Sequence, residues 1–166
     1  MLTFTLRDTL DMRAICHSIG RVIYENFTEK DATLITLRYS SSDVMSPKLA
    51  RRIFNTWAYR VRRHVGKPFQ FVRVTDLNTH SIHAVDFYVI VDLPIDVCRE
   101  VCSEWFAGDV SISALNEEGL DKIAQVVMYH PYIPGTRIWA YSSGEKRNKK
   151  KTRPYRTPFC SGGVSQ

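Results

Sequence analysis

Residues 84–94 read AVDFYVIVDLP, and from Val85 to Val91 the only charged residue is Asp86. Val, Ile, Phe and Tyr favour a pleated backbone, and Pro94 has no N–H to extend a ladder, so a strand over 84–92 closing at Leu93-Pro94 is expected. Residues 69–76 (FQFVRVTD) repeat that chemistry, and the segment between holds Asn78, Thr79 and Ser81. Two apolar runs joined by a short polar connection make an antiparallel hairpin. Working outward, 33–39 (TLITLRY) reads as another strand, 109–113 as a short one with Val110 and Ile112 on one face, and 136–141 (TRIWAY) as the last.

Helical spacing fills the intervals. Leu10, Ala14, Ile15, Ile19, Val22, Ile23 and Phe27 recur near the helical period, giving a helix over 8–27 weakened by Gly20. Ser46-Pro47 opens the clearest helix, with Ser46 as N-cap and Pro47 in the first turn. Its apolar stripe is Leu49, Ile53, Trp57 and Val61, widened by Phe54 and Val65; Lys48, Arg51, Arg52, Arg62 and Arg63 take the opposite arc, with Tyr59 exposed among them. Residues 96–106 read as a helix packing Cys98, Val101, Cys102 and Trp105, and 120–129 as one packing Ile123, Val126 and Val127. The order α-β-α-β-β-α-β-α-β predicts an α+β fold, an antiparallel central β-sheet with helices packed on one side of it. Residues 1–144 form one domain with the 8–27 helix as an addition, and 145–166 form a basic tail expected to lack fixed structure.

The chain has 166 residues, is 44% apolar, and carries a formal charge of +6. Lys146, Arg147, Lys149, Lys150, Lys151, Arg153 and Arg156 against Glu145 account for that whole surplus, so residues 1–144 are neutral. A uniformly basic packing protein is thereby excluded, and a polyanionic partner met partly through the tail is expected. Within the neutral part, Val44 to Thr75 contains eight Lys or Arg residues and no acid. A one-signed helix face of this kind attracts phosphates and releases their counterions.

No apolar run of about 18 residues exists to span a membrane, and Arg7, Asp8, Asp11 and Arg13 break any signal-peptide pattern. Cys16, Cys98, Cys102 and Cys160 include no CxxC pair, and His17, His64, His80, His83 and His130 complete no zinc-finger spacing. A reduced, cytoplasmic protein without a membrane partner or small-molecule substrate is expected.

From Asp31 to Gly144 the layout resembles a rolling-circle replication initiator of the HUH endonuclease superfamily. Leu34-Ile35-Thr36-Leu37-Arg38-Tyr39 resembles the opening strand of that family, and the serine-proline start of the basic helix follows at a similar distance. Phe71-Val72-Arg73-Val74-Thr75-Asp76 resembles the strand whose terminal acid helps hold a metal, and Asp86 to Pro94 resembles the histidine-bearing strand with its closing Leu-Pro. The segment from Trp105 through Gly108 and Val110 to Ile112 resembles the one that precedes the nucleophile helix. The resemblance implies a metal-assisted tyrosine DNA endonuclease fold acting on single-stranded or hairpin origin DNA.

The chemical positions depart from that pattern. Asp86 and Tyr88 stand where the two histidines belong, Gln125 where the nucleophilic tyrosine belongs, and Met128 where a lysine belongs. Only Asp76, at the acidic position, and Tyr129, at the second tyrosine, keep a usable type. Two carboxylates on neighbouring strands bind Mg²⁺ weakly, and a neutral phenol is a poor ligand at pH 7. A register using His80, His83 and Asp86 fails on an unbulged strand, since His83 and Asp86 face opposite sides.

The expectation is a DNA-binding protein, derived from such an initiator but without nicking activity, that needs no cofactor and acts in control of phage or mobile-element replication. Two alternatives stand beside it. One is a divergent nickase using Tyr129 with Mg or Mn at Asp76 and Asp86; the other is a protein-interaction module reusing the scaffold. Because the acid-free stretch contributes +8, the rest of residues 1–144 carries −8, including Asp76 and Asp86. DNA is therefore expected along the basic helix and tail rather than over the aspartates.

Overall fold

Strand β3 (Val85–Val91) occupies the middle of a five-stranded sheet because it is apolar on both faces. The structure, a computed structural model, describes residues 6–27, 31–39, 46–77, 85–129 and 137–144. Around β3 lie β1 (Thr33–Arg38) and β2 (Phe71–Leu77), with β4 (Val110–Ala114) outside β1 and β5 (Trp139–Ser142) outside β2. Every neighbouring pair is antiparallel. The expected α+β class and the β2–β3 antiparallel pairing hold.

Helices cover both faces of this sheet, not one. On the first face α2 (Pro47–Val65) and α3 (Ile95–Val101) bury Val85, Phe87, Val89 and Val91 together with Ile35 and Leu37. On the second, α1 (Leu6–Phe27) and α4 (Glu117–Met128) bury Tyr88 and Ile90 with Leu34, Val72 and Val74. A strand with apolar residues at odd and even positions leaves no wet face, so a one-sided scheme is unfavourable; each buried Val, Leu or Phe contributes about 1.5–3 kcal/mol.

Three local differences from the sequence expectation have clear causes. The buried stripe of α2 is Ala50, Phe54, Trp57 and Val61, and Leu49 is exposed. Each spacing of four overshoots a turn of 3.6 residues by about 40°, so the row 49–53–57–61 winds around the helix and Leu49 falls at its far edge from Val61. The helix expected to reach residue 106 ends as α3 at Val101, followed by a 3₁₀ turn over Cys102–Glu104. Trp105 leaves the helix in an extended conformation, its indole N–H donating to the Arg38 carbonyl at 3.2 Å and its ring edge-on to Tyr39. Finally, α4 begins three residues early, because the Asn116 side chain accepts a hydrogen bond from the Gly119 N–H at 2.9 Å.

Cys98 and Cys102 are buried, as the helix-face reading expects, and burial pushes their thiols up to about 11 and about 12. Among the described residues, no helix is long and apolar enough to cross a membrane.

Two glycines test the fold directly. Gly66 ends α2 at φ +71 with open space where a Cβ would sit, whereas at Gly144 (φ +77) a Cβ would fall 2.7 Å from the Phe69 carbonyl oxygen. Gly66→Ala is expected to cost about 1 kcal/mol from the left-handed backbone alone. Gly144→Ala should cost about 2 kcal/mol or more in urea unfolding, since a backbone carbonyl cannot rotate aside.

Candidate nucleic-acid interface

The basic helix is firmly built. Ser46 Oγ accepts from the Leu49 N–H at 3.2 Å, and the Gly66 N–H donates to the Arg62 carbonyl at 3.1 Å. The Tyr39 hydroxyl donates to the Ala50 carbonyl at 2.7 Å and ties the helix to the end of β1. With Ala50, Phe54, Trp57 and Val61 facing the sheet, Lys48, Arg51, Arg52 and Arg63 face solvent, Arg62 is half-buried, and Tyr59 is 61% exposed. Lys48, Arg52, Tyr59 and Arg63 fall on one outer stripe at helical spacing.

The helix dipole accounts for Arg62 and Arg63, which lie in the last turn, but not for the cations at the other end. No acid stands in the first turn of α2, where the helix dipole favours one, and Lys48, Arg51 and Arg52 occupy the first two turns, where it disfavours cations. The ion pairs Arg21–Glu25, Arg38–Asp86 and Arg99–Asp96 all lie off this helix. At its edge, Arg60 lies 4.8 Å from the ring centre of Phe106, which is 57% exposed. Sequence reading missed this pair: Arg60 belongs to the acid-free stretch, but nothing in the sequence brings Phe106 to it.

The opposite face of the sheet brings the family-like acidic positions together. Arg38 pairs across with Asp86, and Asp86 with Asp76, so the three form one row on β1, β3 and β2. Tyr88 lies two residues on, on the same face, between Thr36 and Val74. The Arg38 Nε is 3.9 Å from an Asp86 carboxylate oxygen, and Lys122 of α4 places its Nζ 5.4 Å from the Tyr88 ring centre. Burial raises the Asp86 pKa and Asp76 adds to the rise, while Arg38 and Lys122 oppose it. Burial, then Asp76 and Asp86, likewise raise Tyr88 and keep it neutral.

Two carboxylates, a neutral phenol and two cations are a poor fit for a divalent metal. Arg38 and Lys122 already supply the positive charge, and among the described residues no group of three His, Cys, Asp or Glu side chains converges on a metal position. Lys122 was not anticipated, because the lysine position of the family pattern falls on Met128.

Helix α4 offers these groups no nucleophile. Gly119 packs against Leu34 and Lys122 against Tyr88, so the helix runs from the Leu34 row towards the Asp86 row. Ile123 and Val127 face the sheet, whereas Gln125, about 200° around the helix from Ile123, is exposed. Tyr129 caps the helix and is 76% exposed. His80, His83 and His130 lie outside the described residues, as do the tail cations Lys146, Arg147, Lys149, Lys150, Lys151, Arg153 and Arg156.

The charge of Asp86 has a measurable consequence. A raised carboxyl pKa means the folded chain holds the proton more tightly than the unfolded one, so this group's contribution to stability falls as pH rises through that range. Its ion pair with half-exposed Arg38 returns little. Asp86→Asn is expected to melt at or above the parent at pH 7, with the difference vanishing below the ordinary aspartate pKa of about 3.9. A lower melting temperature for the variant at pH 7 would contradict this account. No protein-family model, curated protein or solved structure matches the chain.

Proposed function

We propose that the protein binds single-stranded or hairpin DNA along the outer face of α2, on a scaffold of the rolling-circle initiator type that has lost the cleavage step. One observation carries the reading: a 19-residue helix with cations along its solvent face and no carboxylate between Val44 and Thr75. Such a face suits a sugar-phosphate backbone, and exposed Tyr59 offers a ring on which a base stacks. The departures at the catalytic positions support the loss of cleavage: Arg38 and Lys122 stand beside Asp76 and Asp86, and Gln125 faces solvent. Control of replication at an origin, by occupying it or by recruiting an enzyme, is the role this combination suits.

The test is binding of a labelled hairpin and a single strand across a salt series. Each phosphate neutralised on a single strand contributes about −0.7 to the slope of log affinity against log salt. With four or five cations engaged, a slope of about −3 is expected; affinity independent of salt would overturn the reading. With Mg²⁺ or Mn²⁺ present, no covalent protein–DNA adduct is expected. An adduct abolished by Tyr129→Phe would establish the nickase alternative instead.

A further inference from the structure

Trp105 is turned into the core, where its indole N–H donates to the Arg38 carbonyl and its ring stands edge-on to Tyr39 at 5.1 Å and to Trp57 at 6.2 Å. Its backbone is extended, so the next side chain points the other way. Phe106 is accordingly 57% exposed, with its ring tilted against that of Trp105 at 6.3 Å. A phenyl ring is thus held at the surface on a rigid mount. Over it lies Arg60 of α2, whose guanidinium carbon is 4.8 Å from the ring centre.

At about 100° per residue, Arg63, Arg60 and Trp57 step around α2 from the outer stripe of cations to the buried face. The Phe106 ring therefore borders the basic stripe, on the side where α2 meets the Cys102–Glu104 turn. Glu104 and Asp109 stand on either side of Phe106 in the chain, and carboxylates there disfavour a phosphate over the ring. What an exposed ring and a guanidinium plane suit is a flat π system, and nucleobases stack on both. Bases inside a duplex are already stacked on their neighbours, so the part of a strand free to reach this place is an unpaired base. We infer that Arg60 and Phe106 form a docking point for one unpaired base of a strand whose phosphates run along α2. The inference rests on the nucleic-acid reading and narrows it to DNA with an unpaired base beside the phosphate track, as in a single strand or a hairpin loop.

Four proteins test it: the parent, Phe106→Leu, Phe106→Trp and Arg60→Lys. Anisotropy across a salt series follows each with a labelled single strand and with an abasic strand of equal length, which keeps every phosphate and carries no base. The parent is expected to bind the normal strand about tenfold or more tightly than the abasic one. Phe106→Leu keeps an apolar side chain without a π face, and should reduce that preference about tenfold while binding the abasic strand as the parent does. Phe106→Trp should retain the preference. Arg60→Lys keeps the charge without the plane, and should lose part of the preference with abasic binding unchanged. The salt slope should be the same in all four, since no phosphate contact is removed. Phe106 is more than half exposed, so Phe106→Leu should melt close to the parent. Should it not fold, Arg60→Lys decides by the same preference.

Equal binding of the normal and abasic strands by the parent, with the salt slope still near about −3, overturns the base contact and leaves the α2 reading intact. So does a full preference surviving in Phe106→Leu. Equal losses on both strands in Phe106→Leu identify a ring that merely supports α2, and also overturn it. If affinity is independent of salt but the parent prefers the normal strand and Phe106→Leu does not, the base contact stands and the phosphate track along α2 fails.

Discussion

Reversing three charges on α2 in one chain (Lys48→Glu, Arg52→Glu and Arg63→Glu) is expected to lower affinity for single-stranded DNA by about 10²–10⁴-fold. Each reversal removes an attraction to phosphate and adds a repulsion, worth together about 1–2 kcal/mol per site at an exposed position. All three side chains are exposed. Folding should therefore be little affected, since Lys48→Glu places an acid in the first turn, where the helix dipole favours it, and offsets Arg63→Glu in the last turn, where the dipole disfavours it. The salt slope should flatten by about 2 units as three phosphate contacts disappear. The control is Arg21→Glu with Arg99→Glu, which changes exposed cations off this helix and should leave affinity within a few-fold. Equal losses in both proteins would mean that net charge, not α2, drives binding.

Trp57→Ala is expected to cost about 3–5 kcal/mol, a large part of the 5–15 kcal/mol that holds an ordinary domain folded. The indole is 1% exposed, packs edge-on against Trp105 at 6.2 Å and tilted against Phe54 at 5.5 Å, and locks α2 onto the sheet. Truncation leaves a cavity flanked by the Phe54 and Trp105 rings. Trp57→Phe should cost only about 1–2 kcal/mol: most of the packing survives, and among the described residues the indole N–H has no hydrogen-bond partner to lose. Urea unfolding measures both. A cost under about 1 kcal/mol for the alanine variant would contradict the packing of α2 described above.

The strands were legible because β-branched and aromatic residues cluster in runs bounded by turn residues, and the β2–β3 hairpin followed from its short connection. The two-sided burial was also written in β3, where Phe87, Val89 and Val91 alternate with Tyr88 and Ile90. An unbroken apolar strand needs cover on both faces, and that signal outweighs the simplicity of a two-layer scheme. Strand alternation likewise put Asp86 and Tyr88 on one face, and the hairpin register set Asp76 beside them. Arg38 and Lys122 were not legible there, because they arrive from another strand and a helix through long-range contacts that no local spacing encodes. Arg73 had a visible signal, a lone cation inside FQFVRVTD, but its place against the Phe54 and Phe87 rings depends on contacts across layers.

The central claim is that DNA lies along α2 and not over the aspartate row on the opposite face. Titrating ¹⁵N-labelled protein with a hairpin oligonucleotide while recording amide shifts tests it most directly. Shifts concentrated on Lys48–Arg63 and Phe106, with Asp76, Asp86 and Lys122 unmoved, are the predicted result; shifts centred on Asp76, Asp86, Tyr88 and Lys122 would contradict it.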